Sequence, residues 1–215
     1  MQIHHVSTSN SILNHFLNQI RSVDAQKDRM RFRRNLERIG EIMAYEISKT
    51  LDFDHCEVTT PLGIKSSYLI SNEVVLCSIL RAGLPLHLGF LNYFDEAENG
   101  FVAAFRKHVG DGFEIEVGYE AIPDLAHKTL LLLDPMLATG QSIVAVLNQL
   151  KLMGTPDEIH IAVVIAAPEG IAYLESVLPS HVHLWIASID DKLNDKKYII
   201  PGLGDAGDLA YGSKL

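Results

Sequence analysis

Hydrophobic positions change their period along the chain. Over residues 24–51, Phe32, Leu36, Ile39, Met43 and Ile47 recur at alternating spacings of four and three, which puts them on one stripe of a long helix. A shorter helix is predicted over 11–20. Between 55 and 70, β-branched residues surround Pro61 and Gly63, the pattern of a short antiparallel hairpin with exposed ends. From residue 73 onward, short apolar runs each pass into a Gly-containing loop and then a helix-period segment, the order of parallel βα units.

That order predicts strands at 74–79, 101–105, 129–133, 159–166 and 182–187, and helices at 84–94, 142–153 and 169–177, the second of these closed by Gly154. A last extended piece is expected at 198–200, before a glycine-rich tail. Residues 108–120 alternate only weakly and carry Gly110, Gly112 and Gly118, which suits a mobile flap. With no internal repeat or linker, the expectation is one α/β domain over 1–215. Its parts are N-terminal helices within 11–51, a hairpin at 55–70, a core at 73–190 and a terminal loop at 198–208.

Composition narrows the class. With 47% hydrophobic and 21% charged residues, the chain has the balance of a soluble globular protein. A net charge of -9 argues against a phosphate-tracking nucleic-acid surface. The one basic concentration, Lys27, Arg29, Arg31, Arg33, Arg34 and Arg38, is interleaved with Asp28, Glu37 and Glu41 on a single helix, and suits a solvated or subunit-facing surface better than an RNA site. Cys56 and Cys77 form no CxxC and no zinc-like spacing, so a reducing cytoplasm is expected. No apolar run approaches membrane-spanning length, and the first residues lack the pattern of a signal peptide.

Candidate chemistry concentrates in Thr129-Leu-Leu-Leu-Leu-Asp-Pro-Met-Leu-Ala-Thr-Gly-Gln-Ser142, where an apolar strand ends in an acid and a tight loop opens a helix. Such a loop lies at the carboxyl edge of an open α/β sheet, where ligands bind. Backbone N–H groups from about Leu137 to Ser142, the hydroxyls of Thr139 and Ser142, and the positive end of the following helix suit a phosphate. Asp134 is placed to accept hydrogen bonds from the hydroxyls of a sugar attached to that phosphate. The plainer alternative is that Asp134 caps the loop and the hydroxyls belong to an ordinary helix start. No GxxxxGK[ST] occurs, so this is not a Walker A loop. Near the C-terminus, Gly202-Leu-Gly-Asp-Ala-Gly207 matches GxGxxG, but too few residues follow it to build the helix and strand of a dinucleotide fold.

Together these segments resemble type I phosphoribosyltransferases, and Asp134-Pro-Met-Leu-Ala-Thr-Gly resembles the form that signature takes in the uracil phosphoribosyltransferase family. Pro135 stands where most relatives carry a second acid, and Gln141 where the uracil enzymes usually carry glycine, which is tolerable if its φ stays negative. Ser78-Ile-Leu-Arg-Ala-Gly-Leu84 resembles the diphosphate loop, which implies Arg81 as a leaving-group ligand with N–H groups from Ala82 and Gly83. Arg106 aligns with the arginine that reaches the diphosphate from the flap. The segment from Tyr198 to Asp208 resembles the uracil-recognition loop, which implies base reading by main-chain groups of Ile199, Gly204 and Ala206, with Asp205 facing the ribosyl diphosphate and its metal. Leu209 replaces the family's usual basic residue.

The resemblance thus implies a type I phosphoribosyltransferase fold, a central mainly parallel sheet flanked by helices with a small β hood or flap. The implied reaction joins uracil to 5-phosphoribosyl diphosphate with release of diphosphate. Asp134, Arg106 and Asp205 would be catalytic, and residues 134–142 (Asp134, Pro135, Met136, Leu137, Ala138, Thr139, Gly140, Gln141, Ser142) would bind the ribosyl diphosphate. Mg²⁺ would arrive mainly on the diphosphate rather than in a dedicated protein cage. The resemblance also implies a homo-oligomer, dimer or tetramer, and leaves open an effector such as GTP. The alternatives are another base, or a non-catalytic relative that senses nucleotides.

Overall fold

The structure, a computed structural model, describes residues 1–109 and 112–213, with the side chains of 104–117 left aside. The chain begins with a strand absent from the sequence reading, β1 (Gln2–His5). Its residues are mostly polar because it is an edge strand, paired on one side only. Helix α1 (Ile12–Arg21) starts at a capping box in which the Ser11 and Asn14 side chains satisfy each other's backbone N–H groups, and it buries Leu13, Leu17 and Ile20. Helix α2 (Arg29–Ser48) starts later than predicted. Residues Ala25–Lys27 form a separate 3₁₀ turn, and the Asp28 side chain then accepts the Arg31 N–H as a new cap. The predicted stripe of Phe32, Leu36, Ile39, Met43 and Ile47 is wholly buried.

Strands β2 (Phe53–Thr60) and β3 (Gly63–Ile70) form the expected hairpin, which is exposed along most of its length rather than only at its ends. The α/β core then follows as β4 (Val74–Leu80), α3 (Leu84–Leu91), β5 (Glu98–Val109), β6 (Gly112–Ala121), β7 (Thr129–Leu133), β8 (Met136–Leu137), α4 (Gln141–Leu150), β9 (Glu158–Ala166), α5 (Pro168–Val177) and β10 (Val182–Ile189). A small hood pairs β11 (Lys192–Leu193) with β12 (Ile199–Ile200), and α6 (Ala206–Tyr211) ends the described fold. The glycine-rich tail therefore closes with a short helix. The segment expected to be a flap pairs antiparallel with β5, making one long hairpin with a register shift at Ala103/Ala104. Its tip, 110–111, lies outside the described residues.

The sheet runs β1-β10-β9-β7-β4-β5-β6, parallel except for β6, with β8 added beside β9. Because the central strands are covered on both faces, alternate residues feed two cores. Leu131, Leu133, Ala162, Val164 and Trp185 pack with α1, α2, α3 and α6. Leu130, Leu132, Ile161 and Val163 pack with α4 and α5. The carboxyl ends of β4, β7 and β9 consequently open onto one edge, where their loops meet. Among the described residues, no helix is long and apolar enough to cross a membrane.

Helices α2 and α3 touch backbone to backbone. A Cβ on Gly89 would sit 2.0 Å from the Glu37 carbonyl oxygen, and one on Gly40 would sit 2.6 Å from that of Leu86. Gly89→Ala is expected to destabilise the fold by about 1–3 kcal/mol through overpacking. Thermal denaturation checks this, and an unchanged melting temperature would show that the helices part freely.

Candidate active site

The loop after β7 is held from behind. The Val164 and Ile165 N–H groups both donate to the Pro135 carbonyl (3.1 and 3.0 Å), and the Ala167 N–H donates to Leu137 O (2.9 Å). From its other side α5 presses in so closely that a Cβ on Gly170 would lie 2.3 Å from Ala138 O. The chain then turns at Gly140, whose φ of 79° lies in the left-handed region that favours glycine. Gln141 is the first residue of α4 and is not among the positive-φ residues, so its side chain costs the turn nothing. The helix starts at Gln141, one residue earlier than expected. Among the described residues, the N–H groups of Ala138, Thr139 and Gly140 meet no acceptor. Those of Ser142 and Ile143 have no helical carbonyl behind them. This is an anion nest at a helix N-terminus.

Asp134 stands where β7 meets this loop. Its N–H donates to Ala162 O (3.1 Å), and its Oδ1 accepts the Met136 N–H (3.3 Å). Burial dominates that single hydrogen bond and pushes the carboxyl up to about 7.

The loop after β4 carries the second predicted segment, entered through a cis Leu80–Arg81 peptide. Two expectations are corrected here. Gly83 offers no N–H to a ligand, because that group donates to Ile79 O (3.0 Å). Its lack of a side chain serves packing, since a Cβ would lie 2.7 Å from Ile79 O and 2.8 Å from Leu133 O. The Arg81 side chain turns toward the C-terminus, where Nη2 donates to Asp208 Oδ1 (3.2 Å) and Gly212 O (3.1 Å), and it does not line the cleft. Ala82 does.

The third segment is pinned by a part-buried ion pair that sequence reasoning missed. Arg21, at the end of α1, forks onto both carboxylate oxygens of Asp190 and also donates to Ser188 Oγ (3.1 Å) and Gly202 O (2.9 Å). Asp190 Oδ2 in turn accepts the Gly202 N–H (2.8 Å). The loop passes through a cis Ile200–Pro201 peptide and through left-handed Gly202 and Gly204, at φ 64° and 98°. It ends where the Asp205 side chain caps α6 by accepting the Asp208 N–H (3.0 Å). Arg33, read as part of a solvated or subunit-facing basic surface, instead holds this helix through Ala210 O (2.7 Å). Leu209 packs against the core beneath.

These loops enclose a cleft of about 550 Å³. Among the predicted site residues, Ala82, Asp134, Met136, Leu137, Ala138, Thr139, Gly140, Ser142, Gly204, Asp205 and Ala206 form its walls. Pro135, Gln141 and Ile199 do not: Pro135 is buried with its carbonyl bound to β9, Gln141 points to solvent, and Ile199 is buried in the hood. The Arg106 side chain lies outside the described residues. Walls not among the predicted site residues are Ile143, Gly207 and, on the turn between β11 and β12, Lys196, Lys197 and Tyr198. A larger groove of about 750 Å³ runs beneath the β2–β3 ribbon at the amino ends of β4 and β7, away from all three loops.

The raised Asp134 carboxyl has a consequence for stability. Its folded value, about 7, exceeds the ordinary value of 3.8, so the folded state holds its proton longer than the unfolded state does. The contribution of Asp134 to stability therefore falls as pH rises from about 4 through 7. Asp134→Asn removes this loss. In the ligand-free protein it is expected to melt at higher temperature than wild type at pH 8, with the gap closing near pH 4. Parallel melting curves at both pH values would contradict a buried carboxyl.

The family model for uracil phosphoribosyltransferase matches residues 6–213. A uracil phosphoribosyltransferase of Porphyromonas gingivalis is 50% identical over 216 residues, covering 100% of both chains. That of Pyrococcus furiosus is 40% identical over 195 residues, covering 89% of this chain and 83% of its own. Among solved structures, an Aquifex aeolicus protein superposes with a TM-score of 0.86 at 33% identity over 100% of both chains. A Staphylococcus aureus hypoxanthine phosphoribosyltransferase, at 11% identity and a TM-score of 0.51 over 74% of each chain, shares the type I fold alone. Cleft, loops and relatives agree, and the chain belongs to the uracil phosphoribosyltransferase family.

Proposed function

We propose that this protein transfers the phosphoribosyl group of 5-phosphoribosyl diphosphate to N1 of uracil, giving UMP and diphosphate in pyrimidine salvage. The observation that carries the reading is the meeting, in one cleft, of a backbone anion nest with an acid at its root and a rigid glycine loop facing both. The nest takes the 5′-phosphate through N–H groups and the hydroxyls of Thr139 and Ser142. Asp134 then lies within the same loop to bind the ribose hydroxyls, and its partial burial with a single donor makes new hydrogen-bond donors there welcome.

The anomeric carbon loses diphosphate as uracil N1 attacks, through a transition state of oxocarbenium character. Positioning and electrostatics supply most of the rate. Ala82 N–H and Arg106 are assigned to the leaving group. Arg81 reaches it only by exchanging Asp208 for the diphosphate. Exposed Asp205 fits a Mg²⁺ ion brought in on the diphosphate with most of its waters kept, and that ion would neutralise the leaving group's charge.

The glycine loop reads the base. Main-chain groups of Gly204 and Ala206 on the cleft wall, with Ile199 behind them, present fixed donors and acceptors to the uracil edge. Cytosine, with its donor and acceptor pattern changed, would leave them unpaired. Because Asp190 and Arg21 hold Gly202 by both its N–H and its carbonyl, the loop's geometry is set before the base arrives. The β2–β3 ribbon pairs with no other strand of its own chain among the described residues and exposes Leu62, Ile64, Tyr68 and Leu69, which supports a homo-oligomer. A cytoplasmic location suits the two free cysteines.

UMP formation from uracil and 5-phosphoribosyl diphosphate is the direct test, run with and without Mg²⁺ and with cytosine, hypoxanthine and orotate as competitors. Uracil-selective, metal-dependent turnover is expected. Binding of UMP without turnover would move the assignment to a nucleotide-sensing relative. Asp134→Asn is expected to lower kcat by roughly 10²-fold or more, with the fold intact. Asp190→Ala leaves the part-buried Arg21 without its partner and is expected to cost about 1–3 kcal/mol of stability. If that variant kept wild-type stability and uracil KM, the pinning role of the pair would be lost.

A further inference from the structure

One wall of the cleft has no task in the reading above: Lys196 and Lys197, on the hood turn between β11 and β12. Three observations bear on it.

The first is position. Glu169, at the start of α5, accepts the Leu193 N–H (2.9 Å), so the hood is tied to the helix that packs on the nest. There Gly170 meets Ala138, and Gly140 meets Tyr173 and Leu174. In the sheet, β9 and β10 lie on one side of β7, and β4 with its diphosphate loop lies on the other. The lysines therefore stand on the nest's side of the cleft. Consistently, the Glu169 carboxyl is held below its ordinary range by the Leu193 N–H and, more weakly, by Lys197 and Lys192.

The second is charge. Among the described residues, the other charged walls are Asp134 and Asp205, both acids, in a chain of net charge -9 that must hold a polyanion. The third is backbone geometry. Asn194 Oδ1 accepts the N–H groups of Lys196 (3.0 Å) and Tyr198 (2.9 Å), and Asn194 O accepts that of Lys197 (2.8 Å). This holds Lys197 at φ 64°, a left-handed position where a lysine is uncommon.

We propose that Lys196 and Lys197 form a basic lip that binds the 5′-phosphate shared by 5-phosphoribosyl diphosphate and UMP, adding the positive charge that the backbone nest lacks. The inference rests on the functional reading given above. Each ammonium carries three donors on a flexible stem, so it reaches a phosphate without fixed geometry and releases it readily.

The test is the double variant Lys196→Gln/Lys197→Gly. Glycine takes the left-handed turn without strain, which protects the fold. The expected result is a rise of about 5- to 20-fold in both the KM for 5-phosphoribosyl diphosphate and the Ki for UMP, the scale of exposed charged contacts. The uracil KM and kcat should stay within about twofold, because neither contains the phosphate contact. Lys196→Arg/Lys197→Arg should restore wild-type values. Lys65→Gln/Lys192→Gln, which removes the same charge away from the cleft, should leave them unmoved. The proposal is overturned if the two constants do not change, if the control variant changes them equally, or if only diphosphate-bearing ligands weaken. If the wild-type protein makes no UMP, the functional reading fails. The lip is then judged by calorimetric binding of UMP to wild type and double variant, where equal affinities would overturn it.

Discussion

The part-buried pair of Arg21 and Asp190 is the contact on which the working geometry depends. It joins the end of α1 to two places far from it in sequence, the end of β10 and the turn at Gly202. Burying two charges is costly, and their attraction alone seldom repays it. Here the cost is offset because the guanidinium also donates to Ser188 and Gly202 while the carboxylate also accepts the Gly202 N–H. Such a network favours one arrangement sharply over near alternatives. A loop of glycines, otherwise the most mobile kind of chain, thereby becomes a fixed template.

The same logic governs the other arginines. In an acidic protein that binds a polyanion, arginines would be expected to face the ligand. Instead Arg21, Arg33 and Arg81 spend their donors on backbone carbonyls and carboxylates that hold the C-terminal segment in place. The described cleft is left with backbone N–H groups, hydroxyls and flexible lysines. Backbone donors are already ordered by the fold, so they bind a phosphate at little further entropic cost. Guanidinium groups, with their rigid forks, are better used where the geometry must never change.

Legibility in the sequence followed the range of the interactions concerned. The apolar run of residues 129–133 and the stripe on α2 were readable because periodicity reports local burial. The nest was readable because strand, acid, small residues and helix stand consecutively. The base loop was not readable from composition, since glycines alone suggest a floppy tail, and only resemblance identified it. What fixes that loop is an arginine 181 residues upstream, and no local pattern carries such a pairing. Gly83 was misread for a related reason: a glycine needed for close packing against Leu133 looks, in sequence, the same as one needed for close approach to a ligand. Edge strand β1 and the lysine turn were missed because both are polar, and exposure erases the alternation that marks a strand.

The two acids of the cleft complete the electrostatic argument. Asp205 is exposed and spends one oxygen on capping α6. Asp134 is part-buried at the root of the cleft with one backbone donor, so its charge is poorly compensated. Such a carboxylate is a liability to folding and an asset to binding. Hydroxyl donors from a ribose would supply the partners it lacks, and the anion beside it requires that its own charge be well screened. In the proposed function, the N–H groups of the nest and the positive end of α4 would serve the phosphate while the ribose hydroxyls would serve Asp134. A ligand that presents phosphate and sugar hydroxyls together would satisfy both parts of the site, and a phosphate or a sugar alone only one, so the proposed site favours a sugar phosphate.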